Sequence, residues 1–217
     1  MNEALQKKEL SITGIIVSIA VTAGFVWAAM QWYNRDSDQA QLPVDWMQAN
    51  EVHAFANLQM ISQAQKKYKE TVWDGDGKKT YAKYFVHLWT SVSTKSEPIR
   101  IELIPKKLSF AMEAAKAIDG YYFIDLHDRM SPQAGGQVPM DYEKEWAVMG
   151  LSINEGQTGM LNFLADQTGS IFVNSAKYVA PQYPENPAAS GWIKIEGVEQ
   201  LKDFQKKIVY PQGSSKK

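Results

Sequence analysis

Hydrophobic and polar residues follow three successive patterns along this chain. The first is an apolar run over residues 10–33 that contains no ionisable side chain before its final tyrosine. In the second, between Val52 and Tyr68, apolar residues recur every three or four positions, as they do on one face of an α-helix. The third begins at Tyr121, where the spacing changes to the period of two that is typical of strands. The order predicts a membrane helix, a long amphipathic helix and an antiparallel sheet.

The apolar run is long enough to cross a bilayer as a helix, which takes about 20 residues. Lys7 and Lys8 precede it, and Arg35 follows it together with two aspartates. The positive-inside rule then places residues 1–9 in the cytoplasm and the rest of the chain outside. We therefore predict a bacterial inner-membrane protein with a periplasmic C-terminal domain.

Two sets of side chains within residues 10–33 suggest how the helix sits in lipid. Aromatic rings that favour the membrane interface gather near its end, at Trp27, Trp32 and Tyr33. Small residues four positions apart allow a second helix to approach closely. We expect this packing face to comprise Gly14, Ser18, Thr22, Gly24 and Ala28.

A cleaved signal peptide is the alternative interpretation of the apolar run. The sequence Val21-Thr22-Ala23 has the small residues of a cleavage site. The run nevertheless continues past this site as far as its aromatic end. We therefore predict an uncleaved anchor, a polar linker over residues 34–42, a folded domain over 43–210 and a tail over 211–217.

The helices predicted for the folded domain are separated by turn residues. Pro43 suits the first turn of a helix, Thr80 suits an N-cap, and Asp119-Gly120 suits a stop. The predicted helices cover residues 43–70, 80–89, 105–118 and 197–207.

The predicted strands lie mainly in the second half of the domain. Gly169 supplies the left-handed residue of a hairpin turn over 166–169. We expect loops over residues 131–138 and 181–190, and strands over 121–126, 146–153, 160–165 and 170–174. Together these elements predict an α+β fold with helices packed on one face of a small antiparallel sheet.

Composition excludes several kinds of function. The chain has 217 residues, a net charge of −1 and no cysteine. The charge gives no basic surface for nucleic acid, and the missing cysteines exclude disulfides, thiolate zinc sites and c-type haem attachment. Catalytic motifs such as a nucleophile elbow, a phosphate-binding glycine loop or an HExxH helix are absent from the sequence. We therefore expect a protein that is not an enzyme and that carries no cofactor.

Several short motifs resemble those of type IV pilin-like and pseudopilin-like exported domains. Each motif is short, and the agreement lies in the order in which they occur. Later motifs are similar to one group of bacterial exported proteins of unknown function. The motifs are ANLQMISQAQKKY at 56–68, DGDG at 74–77, GYYF at 120–123, WAVM at 146–149, GMLNF at 159–163 and DQTGSIF at 166–172.

The resemblance implies a pilin-like domain shape and no activity. A prepilin also carries a glutamate inside its apolar run and a Gly–Phe cleavage point. Here Glu9 lies before the run, and Gly14 is followed by Ile15. The prepilin processing signal is therefore not matched.

Few residues suggest a metal site. Asp74 and Asp76 are possible calcium ligands, because hard cations bind clustered carboxylates, but Lys78 stands where the loop needs a further acid. A plain turn is our prediction there. His127 lies between Asp125 and Asp128, and we expect this cluster to be a solvated strand end.

The remaining histidines and the tryptophans suggest surface roles. His53 and His87 lie on predicted amphipathic helices, where exposed histidines are ordinary. Tryptophan favours partner surfaces, and one or two exposed rings would mark a docking face. The candidates are Trp46, Trp73, Trp89, Trp146 and Trp192.

These observations favour a non-catalytic, single-pass accessory subunit that docks on a larger integral membrane complex. We expect an energy-transducing partner, respiratory or photosynthetic, that is bound through the membrane helix and the exported domain. A pseudopilin or minor pilin is the first alternative. A stand-alone ligand-binding or enzymatic domain is the second.

Overall fold

The computed structural model describes residues 44–73, 77–93, 95–176 and 179–210, which belong to one structural unit. Within these ranges, no helix has the length and apolarity that a membrane crossing requires. The predicted membrane helix, linker and tail lie outside the described residues. So do the candidate packing, interface and calcium residues Gly14, Ser18, Thr22, Gly24, Ala28, Trp27, Trp32, Tyr33, Asp74 and Asp76.

The described residues form three helices and nine strands, joined in places by single 3₁₀ turns. The helices are α1 (Val44–Glu70), α2 (Lys106–Ser109) and α3 (Val198–Gln205). The strands are β1 (Thr90–Val92), β2 (Pro98–Arg100), β3 (Tyr121–Leu126), β4 (Asp128–Ser131), β5 (Gly136–Pro139), β6 (Ala147–Ser152), β7 (Asn162–Asp166), β8 (Ile171–Asn174) and β9 (Ile193–Ile195).

The central sheet has five antiparallel strands in the order β3-β6-β7-β8-β9. The predicted meander is therefore confirmed, and the fold is mixed α+β. The hairpin turn before β8 also matches, since Gly169 has φ +76 and donates its N–H to the carbonyl of Asp166. Strand β9 was not predicted, because three residues are too few to show a period of two.

Helix α1 covers one face of the sheet, as its periodicity predicts. Its buried stripe includes Phe55, Leu58, Ile61, Ala64 and Tyr68. These side chains belong to one core with residues from the central strands and α3. The terminal helix predicted over residues 197–207 is confirmed as α3, whose Leu201 is buried in the same core.

The opposite face of the sheet has a smaller core that was not predicted. Met140 and Trp192, from connecting segments, pack there against sheet residues that include Met149 and Leu164. The predicted loop over 131–138 is wrong, because β4 and β5 form a hairpin around a 3₁₀ turn. This hairpin is bridged at Arg129 to Tyr183 of the predicted 181–190 loop.

The prediction of a helix over residues 80–89, capped by Thr80, is wrong. A single 3₁₀ turn, Phe85–Leu88, is the helical part, and Tyr84 before it is extended. The amide of Gln65 binds both backbone groups of Ala82, at 2.8 and 3.0 Å. The backbone of Ala82 is therefore held by a side chain of α1 and cannot join a helical ladder.

The helix predicted over residues 105–118 is also wrong in extent. It is reduced to α2 and a 3₁₀ turn, Ala114–Lys116. Between them the carbonyl of Ala111 accepts the N–H of Phe123 at 2.7 Å, so this segment pairs with β3 instead of continuing the helix.

The stop predicted at Asp119-Gly120 is confirmed as a two-residue hairpin turn. Ile118 and Tyr121 exchange two backbone hydrogen bonds across it, at 2.8 and 2.9 Å. Asp119 and Gly120 have φ values of +49 and +74, the left-handed pair that Asp-Gly adopts readily in such turns.

Candidate functional site

A buried carboxylate on α1 joins three parts of the domain. Glu51 has no exposed surface. Its Oε1 accepts the backbone N–H groups of Met160 and Leu161 at 2.7 and 3.2 Å. Its Oε2 accepts the amide of Gln205 at 2.7 Å and the hydroxyl of Tyr210 at 2.6 Å. The group thus connects α1 to the loop before β7 and to the C-terminal segment.

Opposing effects act on the pKa of Glu51. Burial raises the pKa, and the four donated hydrogen bonds lower it, with burial the larger effect. The hydrogen bonds satisfy both carboxylate oxygens, so the group stabilises the contact of α1 with the loop before β7 and with the C-terminal segment. Sequence reasoning missed it, although Glu51 stands four positions before Phe55 on the buried stripe of α1.

The loop that Glu51 holds is also closely packed. The amide of Asn50 donates to the carbonyl of Thr158 at 2.9 Å, and the hydroxyl of Tyr121 donates to the carbonyl of Leu161 at 2.8 Å. A Cβ added at Gly159 would overlap the Tyr121 hydroxyl. Glycine is therefore required for this close approach.

A second buried carboxyl is only partly bonded. Oδ1 of Asp125 accepts the N–H of Phe85 at 2.9 Å, whereas its buried Oδ2 has no hydrogen-bond partner among the described residues. Burial raises the pKa of Asp125 from 3.8 to about 8. The carboxyl is therefore in its acid form at neutral pH, and it can exchange a proton near pH 8. The predicted solvated strand end is wrong at this residue.

His127 lies in an aromatic surrounding instead of a carboxylate one. Its Nδ1 is 2.7 Å from the hydroxyl of Tyr142, and its ring centroid is 4.9 Å from that of Tyr84. Partial burial lowers the pKa of His127, with a smaller contribution from Lys83. Burial, with a smaller contribution from the nearby Asp125, raises the pKa of Tyr142 to about 12. His127 is thus half-buried directly after the end of β3, where the prediction was a solvated strand end.

The other histidines also differ in surroundings. His53 is exposed on α1, as predicted, with its Nδ1 3.0 Å from the carboxylate of Asp119. His87 lies in the 3₁₀ turn and not on the predicted helix, and its ring contacts Tyr84 at 5.4 Å. Among the described residues, no three His, Asp or Glu side chains are grouped so as to hold a metal ion.

A groove runs between α1 and the turn before β8. Its larger depression has a volume of about 420 Å³, and its lining residues include Gln59, Ser62, Gln167, Tyr81 and Trp146. A second depression of about 230 Å³ shares Gln59, Thr168 and Gly169 with the first. Sequence reasoning missed this groove, because the helix and the turn are separated by about a hundred residues.

The tryptophans divide between core and surface. Trp146 and Trp192 are buried, and Trp73 and Trp89 are half-buried. Trp46, in the first turn of α1, is 54% exposed. The other exposed large apolar residues of the described ranges are Met60, Val72, Val92, Phe110, Met112, Ile153, Ile193 and Val209.

Comparison with known proteins gives one match. A family model described as protein of unknown function (DUF2950) matches residues 25–177, which is more than half of the chain. No curated protein and no solved structure matches the chain. The predicted similarity to a group of proteins of unknown function is therefore confirmed at the level of this family. The comparison does not show a pilin-like family. The chain belongs to the DUF2950 family of proteins of unknown function.

Proposed function

We propose that this protein is a non-catalytic accessory subunit of a larger integral membrane complex. Residues 10–33 anchor it in a bacterial cytoplasmic membrane with the N-terminus inside. The domain that begins with α1 lies on the outer side and docks on the partner. The small-residue face of the anchor supplies a second attachment to a partner helix in lipid.

The observation that carries this proposal is the exposure of Trp46. A tryptophan that is 54% exposed leaves a large apolar ring in water, although the domain has two cores able to bury aromatic rings. Exposed tryptophans are enriched at the centres of protein interfaces. Trp46 also lies in the first turn of α1, which follows the predicted 34–42 linker in the sequence.

The arrangement of α1 on the sheet supports a pilin-like shape for the exported domain. A 27-residue helix comes first in the described part of the chain, and an antiparallel meander packs on it. The partner is an energy-transducing complex, respiratory or photosynthetic.

Co-migration after mild detergent extraction tests the proposal. The full chain is produced in the cells that naturally make it, and the complex extracted from their membranes is separated by native electrophoresis. Trp46→Ala is expected to release the protein from the complex, because interface tryptophans contribute about 2 kcal/mol or more. Met60→Ala, an exposed apolar residue of the same helix, serves as the matched control. Migration of the unaltered protein as a lone monomer would contradict the proposal.

A pseudopilin or minor pilin remains the alternative, and the long helix before a meander favours it. In that case the N-terminus is cleaved and methylated near the start of the apolar run. Mass spectrometry of the N-terminal peptide from the membrane-bound protein distinguishes the two functions. An intact N-terminus supports the accessory subunit.

A further inference from the structure

We propose that the groove between α1 and the turn before β8 binds a neutral oligosaccharide. One stripe of α1 forms its long wall, and the residues of this stripe are Phe55, Gln59, Ser62, Gln63 and Lys66. From Phe55 to Lys66 the helix makes eleven residue-to-residue steps, which span roughly 16 Å. The groove is therefore long enough for an oligomer instead of a single sugar.

The polar side chains of the groove have unused hydrogen-bonding groups. Within the described ranges, the amides of Gln59, Gln63 and Gln167 bond to no protein group. Gln65 provides the contrast on the same helix, since both of its amide atoms bind the backbone of Ala82. Each free amide offers two donor hydrogens and an acceptor oxygen, which complement the neighbouring hydroxyls of a sugar.

Charge argues for a neutral ligand. Among the described residues that line the larger depression, Lys66 is the one cation, and there is no carboxylate. In the smaller depression, Lys194 is paired with Glu196 at 3.8 Å. An anionic or cationic ligand would therefore find little opposite charge. A ligand rich in hydroxyl groups matches the amides and the hydroxyl of Ser62.

Sheet topology argues against an extended peptide. Peptides commonly bind by pairing with a free strand edge. Both β7 and β8, which carry the turn at the groove, already have a strand on each side. At the sheet's β9 end, the side chain of Gln200 bonds to the carbonyl of Lys194 and the N–H of Glu196. In the described part of the chain, β7 and β8 therefore offer no free edge at the groove, and at β9 the carbonyl of Lys194 and the N–H of Glu196 are already bonded.

Calorimetry on the full chain tests this inference. The protein is kept in lauryldimethylamine oxide micelles, because a detergent without a sugar head group cannot compete. The probes are chitotetraose, cellotetraose and maltotetraose. At least one is expected to bind saturably, with a Kd below about 1 mM.

The double variant Gln59→Ala, Gln167→Ala is expected to weaken that binding at least tenfold. Its melting temperature should stay at the wild-type value, because these amides bond to no described protein group. Gln133→Ala, in the turn between β4 and β5, is the matched control and should bind normally.

Three results would overturn the inference: no binding of any probe, undiminished binding by the double variant, or binding of neutral tetraglycine that the double variant abolishes. The last would assign the groove to peptides. None of these results bears on the proposed membrane subunit, whose co-migration depends on Trp46 and not on the groove.

Discussion

Glu51 and Asp125 are both buried acids, yet their surroundings differ. Glu51 receives four hydrogen bonds, two on each oxygen. Asp125 receives one, from the N–H of Phe85, and its second oxygen has no partner among the described residues. Burial raises the pKa of both groups.

The comparison shows that burial alone does not decide what an acid does in this fold. At Glu51, donors from the loop before β7 and from the C-terminal segment offset part of the desolvation, so the carboxylate holds the structure together. At Asp125, the single donor offsets little of the desolvation, so the carboxyl keeps its proton up to about pH 8. A buried acid stabilises the fold only where enough hydrogen-bond donors converge on its oxygens.

Glu51→Ala should have the largest effect on stability. It leaves two backbone N–H groups, an amide and a hydroxyl without their acceptor, so we expect the free energy of unfolding to fall by about 4 kcal/mol. Denaturant titration measures this. Glu70→Ala, at the exposed end of α1, is the control and should change it by less than about 0.5 kcal/mol. An equal effect of both variants would refute the fastening role.

Asp125→Asn should flatten the pH dependence of stability. The unfolded carboxyl ionises near pH 3.8, whereas the folded one keeps its proton up to about pH 8. Unfolding therefore releases a proton between these values, and raising the pH favours the unfolded state. We expect the wild type to lose roughly 4 kcal/mol more than the variant between pH 5 and pH 8.5.

Urea titrations at several pH values give this difference directly. Glu51, whose pKa burial also raises, is present in both proteins and therefore cancels. Parallel pH profiles of wild type and variant would show that Asp125 titrates normally in the folded protein.

Tyr210→Phe should have an intermediate effect. It removes one of the four donors to Glu51 while keeping the ring, so we expect a loss of about 2 kcal/mol. Thermal unfolding measures the change. Tyr122→Phe is the control, because the Tyr122 hydroxyl makes no hydrogen bond to the described residues. If Tyr210→Phe matched the control, the C-terminal segment would not depend on Glu51.

His53→Ala should have the smallest effect. The Asp119 carboxylate that His53 faces is an exposed acid, in contrast to the two buried ones. Exposed ion pairs contribute little, so the free energy of unfolding should change by less than about 0.5 kcal/mol. A loss above about 1 kcal/mol in denaturant titration would mean that exposed pairs on α1 also fasten the fold.

Sequence reasoning succeeded where a repeated pattern or a dedicated turn residue set the local structure. The period of α1, the apolar pattern of β3, β6, β7 and β8 and the glycine turns at 120 and 169 all belong to this group. It failed for residues 80–89 and 105–118. In the first segment, the backbone of Ala82 bonds to the side chain of Gln65 on α1. In the second, the carbonyl of Ala111 accepts the N–H of Phe123 on β3.

The candidate sites were harder to predict than the fold. An acid on a buried helical stripe was a visible signal for Glu51. Nothing local distinguishes Asp125, because the missing partner of its Oδ2 is a property of the packed surroundings. The same holds for the groove, where the glutamines of α1 meet Gln167 only after the helix has packed on the sheet.

The sequence by itself determined the long helix, the antiparallel meander and the turns, because these depend on the spacing of apolar residues and on the backbone freedom of a few positions. Tertiary structure alone decided which acids are buried, which of their oxygens are satisfied, which tryptophan is exposed and where polar side chains converge. These properties depend on distances between segments far apart in the chain. A one-dimensional pattern does not contain them.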